Sequence, residues 1–460
     1  MQDPRRIDPA LRAKYDVRGP RYTSYPPATH FHPLEAEAVF ERWRERNGLA
    51  DDPGLSFYFH IPFCRARCQF CGCHTHITRK PEKVDAYVDA LVAEMELTAG
   101  IVDPARPVGQ VALGGGTPNF LSEEQIHRLL GAMERIWTLR PEAELSVEID
   151  PRTSTPGKLD AFLAHGFNRF SLGIQDFSTE VLKVIRRGQG LMQVEDVVSH
   201  LRAAGCQAIN FDLIYGLPKQ DLASVAATAS EVIALRPSRI ALYSYAHVPW
   251  IQPHQEVLER AGLPDPDLKA ALALAMQDRL AEAGYQAIGM DHYALPDDAL
   301  AVAARERTLR RNFIGYTTGR GLDLLGFGTS AIASVGTAYS QDDKDLEAYQ
   351  ASVGAGRLPI VRGFLLNADD VIRRELLLDL FCNFRLDLAA LSQRFSIDAP
   401  SYLAADLERL SEMADDGLVR VDPEAIEVTD SGKFFIRNVC MTFDRYLEQD
   451  NQARVYSRTV

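Results

Sequence analysis

Short apolar segments alternate with amphipathic helical segments between residues 55 and 245, and this alternation constrains the fold more than any other feature. The predicted strands are Leu55–Phe59, Gln110–Leu113, Glu144–Ile149, Arg169–Gly173, Ala208–Ile214 and Arg239–Tyr245. Amphipathic helices are predicted between them at 83–98, 123–137, 191–204 and 221–235. Six strand-then-helix units specify a parallel sheet, which is either an open doubly wound sheet or a barrel.

Unusual residues stand where the predicted strands end, which favours the barrel. A cysteine cluster follows the first strand, glycines follow the second, and Glu148 lies in the third. Gln175 follows the fourth strand, Asp212 lies in the fifth, and Ala246 follows the sixth. Active sites of parallel barrels are built at this rim. We therefore expect an α/β fold whose catalytic domain, residues 39–365, contains a partial (β/α)6 barrel.

The segments on either side of this domain have different patterns. Residues 1–38 are rich in Arg, Pro and Tyr and predict an N-terminal arm that is extended at 19–27. Residues 366–460 predict a mostly helical C-terminal domain with a hairpin near 417–428, which resembles a winged helix. Residues 369–437 hold fifteen Asp or Glu and eight Lys or Arg, a net charge of −7. We therefore expect this domain to cover a substrate cleft and not to bind nucleic acid.

Charge and cysteine usage narrow the class of protein. The net charge of −13 disfavours general binding to nucleic acids or membrane surfaces. No apolar run approaches the ~18 residues of a membrane span, and residues 1–6 lead into no apolar stretch of a secretory signal. Four of the seven cysteines fall within ten residues, which indicates metal binding in a reducing compartment. We expect a cytoplasmic protein without a membrane partner.

The clustered cysteines are Cys64, Cys68, Cys71 and Cys73. Spacings of three and two residues let one loop bring three thiolates to a four-iron cluster, which normally takes four, so one iron stays open to a small chelating molecule. A structural zinc site usually needs a second Cys-x-x-Cys pair, and the other three cysteines stand alone. Cys73 is either the fourth ligand or a bystander. Its spacing of one from Cys71 favours the bystander, because adjacent side chains diverge.

Residues 114–118, Gly-Gly-Gly-Thr-Pro, follow a strand, and consecutive glycines let a ligand approach the backbone closely. A phosphate-binding loop is the alternative, but no Gly-Lys-Ser or Gly-Lys-Thr follows and the Gly-x-Gly-x-x-Gly pattern is missing. Glu148 and Asp212 stand among apolar strand residues, and a buried carboxylate needs a partner. That partner is either an amino or hydroxyl group of a cofactor or an arginine of the barrel, with equal support. His60 is either structural or placed near the cluster.

The loop Cys64-x3-Cys68-x2-Cys71, with Phe70 before the last cysteine, resembles the signature of the radical S-adenosylmethionine (SAM) superfamily. The longer string with Cys73, the arm sequence at 21–26 (Arg-Tyr-Thr-Ser-Tyr-Pro) and the C-terminal module resemble the family of oxygen-independent coproporphyrinogen III oxidases. The resemblance runs from about residue 15 to the end. It implies a radical SAM barrel, a [4Fe-4S] cluster held by the first three cysteines, and two molecules of SAM.

The same resemblance implies roles for individual residues. The first SAM site would include Tyr58, Gly115 and Glu148, and His60 is a candidate catalytic residue beside the cluster. Eight further residues match a second SAM site, namely Phe70, Gly116, Thr117, Gln175, Arg187, Asp212, Ala246 and Ile332.

The implied activity is the anaerobic oxidative decarboxylation of two propionates of coproporphyrinogen III to vinyl groups, which gives protoporphyrinogen IX. The expected partners are this tetrapyrrole and an electron donor such as a flavodoxin or ferredoxin, and we expect a monomer. An acidic protein must gather cations to bind four carboxylates. The candidate cations are Arg18, Arg21, Arg310 and Arg311.

Two rival functions remain within the superfamily: a heme-trafficking chaperone and a heme-degrading methyltransferase. Relatives of the chaperone generally lack the arm and the fourth cysteine, which are both present here. One position departs from the resembled family, which often has Gln where this chain has Ile314.

Overall fold

The computed structural model describes residues 9–447 and 456–459, and its largest element is a twelve-stranded sheet. Six parallel strands lie side by side in chain order at its centre. They are β1 (Leu55–Ile61), β2 (Val108–Gly115), β3 (Leu139–Ile149), β4 (Arg169–Gln175), β5 (Ala208–Tyr215) and β6 (Arg239–Ser244). A doubly wound sheet would reverse its order at a switch point. The six predicted strands and the partial barrel are therefore confirmed.

Further strands extend both edges of this parallel core. Beyond β6 the sheet is extended by β7 (Gln286–Ala287) and β8 (His292–Ala294), and β8 pairs antiparallel with both β6 and β7. On the other side β9 (Asp323–Phe327) pairs parallel with β1. Three antiparallel strands complete that edge, namely β10 (Ile332–Val335), β11 (Ala338–Asp342) and β12 (Ile360–Leu365).

The two faces of the parallel strands differ in polarity. In β5, Ile209, Phe211 and Leu213 are buried against the outer layer, whereas Asn210 and Asp212 point to the other face and stay partly exposed. Successive strand residues alternate between faces, so the polar set lines the inside of the partial barrel. The helices of the outer layer are Pro81–Ala99, Glu123–Ile136, Pro156–Ala164, Thr179–Val184, Leu191–Ala203, Leu222–Leu235 and Pro266–Glu282.

Smaller elements connect the sheet to its surroundings. Two short strand pairs are Phe63–Cys64 with His76–Ile77, and Arg310–Arg311 with Tyr316–Thr317. The other helices outside the C-terminal region are Pro9–Tyr15, Ala36–Arg44, Glu256–Arg260, Ala299–Arg305 and Leu346–Gly354. Single 3-10 turns are Ala28–His30, Pro118–Phe120, Pro151–Thr153 and Pro253–Gln255.

The C-terminal region is mostly helical, as the sequence predicts. Its helices are Ala368–Asn383, Leu388–Phe395, Ala399–Tyr402, Ala404–Asp415 and Ile436–Met441, with a 3-10 turn at Gly432–Phe435. The predicted hairpin is present as Val419–Val421 and Ala425–Val428, but a third strand, Arg385–Asp387, joins it and was not predicted. The core of this region includes arm residues Tyr22 and Tyr25.

The arm is held between the C-terminal region and the sheet. The Tyr22 hydroxyl donates to Asp444 at 2.9 Å, and Arg437 donates to the carbonyl of Pro20 at 3.0 Å. Residues 19–27 are free of helix, as predicted, whereas the helix Pro9–Tyr15 was not predicted. No helix in the described ranges, 9–447 and 456–459, is both long and apolar enough to cross a membrane.

Candidate active site

The cluster loop, residues 64–73, begins at the end of a short strand beyond β1. The Cys64 sulfur lies 3.3 Å from the Thr117 hydroxyl oxygen. The Cys68 sulfur accepts from Arg187 at 3.7 Å and from Arg152 at 3.8 Å. Hydrogen-bond donors and cations stabilise thiolate sulfur, which is the form that binds iron. The surroundings of these thiols therefore fit an anionic iron–sulfur cluster.

Side chains of the segment after β6 form hydrogen bonds with the main chain of the cluster loop. Gln255 donates to the carbonyl of Phe70 at 3.0 Å, and Gln252 donates to that of Gly72 at 3.3 Å. The His254 ring nitrogen lies 3.0 Å from the Cys71 carbonyl oxygen. The sequence gives no signal for these contacts, because they join positions about 180 residues apart.

Within the described part of the chain, no three His, Cys, Asp or Glu side chains converge tightly enough to hold a single metal ion. Cys73 departs from the geometric argument. Its thiol lies beside that of Cys71, where it lowers the pKa of Cys71 to about 7, so the two side chains do not diverge. That Cys73 is not a ligand stays a prediction.

The glycines at the end of β2 form a close-packed turn next to the cluster loop. Gly115 has a φ of +109°, and a Cβ there would lie 2.6 Å from the His60 ring. A Cβ on Gly116 would lie 2.7 Å from the backbone of Pro62. Only glycine fits these two positions, so they let His60 and the backbone of Pro62 pack directly against the turn.

His60 connects the first strand to the cluster loop. One ring nitrogen lies 3.1 Å from the Tyr58 hydroxyl oxygen and the other lies 3.0 Å from the carbonyl oxygen of His74. Burial lowers the pKa of His60 to about 4, so the ring is neutral at neutral pH. A neutral ring bonded on both sides orients Tyr58 and the loop.

Glu148 lies at the end of β3 and faces the space inside the partial barrel, which we call the cavity. Its side chain is open to solvent although protein surrounds it on the inner face of the barrel. Removal from bulk water, and then the charge of Asp212, raise its pKa to about 7. The backbone N–H of Gly115 donates to it at 3.3 Å. Such a carboxylate can accept a hydrogen bond from a ligand in the cavity.

Asp212 faces the same cavity from β5. It accepts hydrogen bonds from Ser171 and Asn210, each at 2.9 Å, and burial raises its pKa. Among the described residues, neither Asp212 nor Glu148 forms an ion pair with an arginine. The arginine-paired carboxylate of this face is Glu144, which lies 2.9 Å from Arg169.

Arg187 and Gln175 lie between the cluster loop and β4. Besides Cys68, Arg187 contacts Asp150 at 3.5 Å and donates to the carbonyl of Gly173. Gln175 is buried with a φ of +70°, where β4 departs from regular pairing with β5. Asp150, which also pairs with Arg152, was missed in the sequence although it directly follows β3. It holds both cations beside Cys68.

The remaining predicted site residues lie around the rim. Phe70 packs on an apolar cluster that contains Leu182 and Tyr245. Ala246 is exposed just after β6, and Ile332 begins β10 with its side chain partly exposed. Neither of these two side chains carries a hydrogen-bonding group, so polar geometry does not define their roles.

The four candidate arginines have different surroundings. Arg18 stacks on Trp250 with 5.6 Å to the ring centre, and Arg310 pairs with Asp379 at 2.5 Å. Arg311 lies over the ring of Tyr316, and Arg21 is exposed. Ile314 lies at the tip of the hairpin 310–317, where its backbone N–H donates to the Asn312 side chain at 2.9 Å.

Comparison with known proteins decides the family. The family model of the radical SAM superfamily matches residues 58–232, and that of the HemN C-terminal domain matches residues 366–435. The oxygen-independent coproporphyrinogen III oxidase of Escherichia coli (strain K12) is 43% identical over 457 residues, which cover 98% of each chain. The chain belongs to the oxygen-independent coproporphyrinogen III oxidase family.

Other members of this family agree with that assignment. The oxygen-independent coproporphyrinogen III oxidase of Pseudomonas aeruginosa is 41% identical over 463 residues and covers 100% of both chains. A solved structure of the E. coli coproporphyrinogen III oxidase, described as a radical SAM enzyme, superimposes with a TM-score of 0.89 at 41% identity. That match covers 96% of this chain and 99% of the other. Membership in this radical SAM family implies a [4Fe-4S] cluster and SAM as cofactors, and the thiols and cavity described above fit both.

Proposed function

We propose that this protein decarboxylates two propionate side chains of coproporphyrinogen III to vinyl groups without oxygen, giving protoporphyrinogen IX. The observation that carries the proposal is the match over nearly the whole chain, which includes the arm and the C-terminal region as well as the barrel. A likeness confined to the barrel would support only shared radical chemistry, since one fold hosts many functions.

Cys64, Cys68 and Cys71 would hold the cluster and leave one iron for the amino and carboxylate groups of SAM. When bound, these cofactors supply a 5′-deoxyadenosyl radical that removes a hydrogen atom from carbon. Each propionate then loses carbon dioxide and one electron as its vinyl group forms, so the reaction needs an electron donor and an electron acceptor.

The protein residues bind and orient the reactants. Arg152 and Arg187 stabilise the thiolate of Cys68, and Thr117 that of Cys64, which keeps the negative charge of the cluster in place. Glu148 and Asp212 accept hydrogen bonds from amino or ribose hydroxyl groups of SAM. This role is supported by the position of both carboxylates in the same cavity. His60 stays neutral and positions Tyr58.

The second SAM site belongs to the same proposal. Its residues would be Phe70, Gly116, Thr117, Gln175, Arg187, Asp212, Ala246 and Ile332. The contact of Arg187 and Thr117 with the cluster thiols supports a cofactor role for these two. We further propose an arm at 1–38, a catalytic domain at 39–365 and a substrate-covering domain at 366–460. We also propose that the protein is a monomer in the cytoplasm and that a flavodoxin or ferredoxin reduces it. It is expected to bind neither membranes nor nucleic acid.

An anaerobic assay of the reconstituted protein tests the function. With SAM, a reductant and coproporphyrinogen III, we expect carbon dioxide and protoporphyrinogen IX together with methionine and 5′-deoxyadenosine. Heme in place of coproporphyrinogen III should remain unchanged. Consumption of heme would instead support the heme-degrading methyltransferase, and tight heme binding without any turnover would support the chaperone.

A further inference from the structure

Arg311 is a cation that Asp291 and Tyr316 compensate only in part. Its Nε and Nη1 atoms have almost no exposed surface and no hydrogen-bond partner among the described residues. The guanidinium lies 4.7 Å from the ring centre of Tyr316 and 5.3 Å from that of Phe381. A buried charge without a hydrogen-bonding partner is costly, so its retention here needs an explanation.

The neighbouring acid does not supply the missing partner. Asp291 is close enough that Arg311 helps to lower its pKa against the effect of burial, but the two side chains do not reach ion-pair distance. The Asp291 carboxylate instead lies 2.7 Å from the His292 ring nitrogen, which is the larger of these influences. The Arg311 guanidinium therefore keeps hydrogen-bonding capacity for another anion.

Two more cations lie on the same side of the barrel. Lys269 donates to the carbonyl of Tyr245 at 2.9 Å, and its pKa is lowered by burial and then by the charge of Arg21. Arg21 also affects the pKa of Asp291 and that of Tyr215 at the end of β5. Neither Arg21 nor Lys269 forms an ion pair with any residue that the structure describes.

Hydrogen bonds of the neighbouring residues fix the position of Arg21. On one side of Arg21, Arg437 donates to the carbonyl of Pro20, and on the other the Tyr22 hydroxyl bonds Asp444. Arg437 is also a cation, but its guanidinium donates hydrogen bonds to backbone carbonyl groups. Like charges repel, so their approach costs free energy unless an anion joins them.

The cation group, Arg21, Lys269 and Arg311, borders the same cavity as the cofactor carboxylates. Ring contacts link them, because the Tyr316 ring beside Arg311 lies 5.2 Å from the His292 ring, which lies 5.9 Å from the ring of Tyr243 on β6. His292 also pairs with Ala241, whose partner on the other side is Asp212. We propose that Arg21, Lys269 and Arg311 bind carboxylate groups of the tetrapyrrole substrate and so place it between the cofactor end of the cavity and the C-terminal domain. This inference rests on the proposed function and adds the residues that recognise the substrate.

Binding of coproporphyrin III, the stable aromatic tetracarboxylate, to cluster-containing protein tests the inference without turnover. Arg21→Gln, Lys269→Gln and Arg311→Gln should each weaken binding about tenfold to hundredfold, the range of a charge-assisted hydrogen bond. The matched control is Arg307→Gln, which removes the same charge from an exposed arginine four residues earlier that lies 3.8 Å from Glu427. We expect a change below about twofold there, and the tetramethyl ester should bind all variants alike.

Melting temperature and SAM binding, measured on each variant, exclude general misfolding. If Arg311→Gln fails to fold, Arg311→Lys and the exposed Arg21→Gln still decide the question. Unchanged coproporphyrin binding in folded Arg21, Lys269 and Arg311 variants overturns the inference, whatever the wild type converts. A wild type that binds coproporphyrin through these residues but never decarboxylates coproporphyrinogen III leaves the inference standing and removes the proposed function.

Discussion

The role of Glu148 can be separated from that of Glu144, which lies on the same face of β3. The shift in the pKa of Glu148 from 4.5 to about 7 would correspond to about 3 kcal/mol if the group were fully buried. Its surface is open to solvent, and screening reduces this cost to about 1 kcal/mol. Glu148→Gln removes that cost, so the variant should be as stable as the wild type or slightly more stable.

The pH dependence of this effect has a defined sign. The pKa of Glu148 is higher in the folded than in the unfolded protein, so ionisation destabilises the folded wild type as the pH rises from about 4.5 to 7. The melting temperature of Glu148→Gln should therefore rise relative to that of the wild type between about pH 4.5 and pH 7. Above that range the difference between the two melting temperatures should stay constant.

Binding of SAM should change in the opposite direction. A carboxylate that accepts a hydrogen bond from SAM contributes about 1.5–3 kcal/mol that an amide largely loses, which is about tenfold to hundredfold in affinity. Equilibrium dialysis of SAM against the oxidised, cluster-containing protein measures this loss. In Glu144→Gln the ion pairs with Arg169 and Arg239 weaken, so the melting temperature should fall while SAM affinity stays unchanged. Unchanged SAM affinity with a lower melting temperature in Glu148→Gln would refute the cofactor role.

Three more outcomes are expected. Cys73→Ala should keep the iron–sulfur absorbance, whereas replacing Cys64, Cys68 or Cys71 by alanine should abolish it. A Cys73→Ala protein without a cluster would overturn the three-ligand assignment. Ile314→Gln lies at a hairpin tip and should not reduce turnover of coproporphyrinogen III; a large decrease would mean that Ile314 contacts the substrate. Arg373→Met should lower the free energy of unfolding by about 1–3 kcal/mol in a denaturant titration, because the fully buried Asp406 keeps Arg409 and Arg445 but loses one donor, and the Phe443 carbonyl loses its donor as well. An unchanged free energy of unfolding would contradict this.

The central strands were predictable because every second side chain, on the outer face, is apolar. Examples are Phe57 and Phe59 in β1 and Ile209 and Phe211 in β5. The strands β9 to β12 were not predictable, since β9 is fixed by pairing with β1, which lies far earlier in the chain, and the three short strands after it add to that edge. Arg385–Asp387 has three residues and exists as a strand only through its partner Ala425–Val428.

The same limit applies to the site. The cysteine spacing identified the cluster loop, because its members are close in sequence. Glu144 and Glu148 stand in similar patterns on one strand, yet one pairs with arginines and the other faces the cavity. Only the positions of Arg169 on β4 and Arg239 on β6 distinguish them. Arg152 and His254 approach the cluster loop through tertiary structure and carried no sequence signal.

The most direct test of the account follows a label from substrate to product. Coproporphyrinogen III that carries deuterium at the β-carbons of its propionates is incubated anaerobically with the reconstituted protein, reductant and SAM. We predict that 5′-deoxyadenosine acquires deuterium in proportion to the carbon dioxide and vinyl groups formed. Deuterium-free 5′-deoxyadenosine alongside vinyl product, or cleavage of SAM with no carbon dioxide from this substrate, would contradict the proposed oxidase activity.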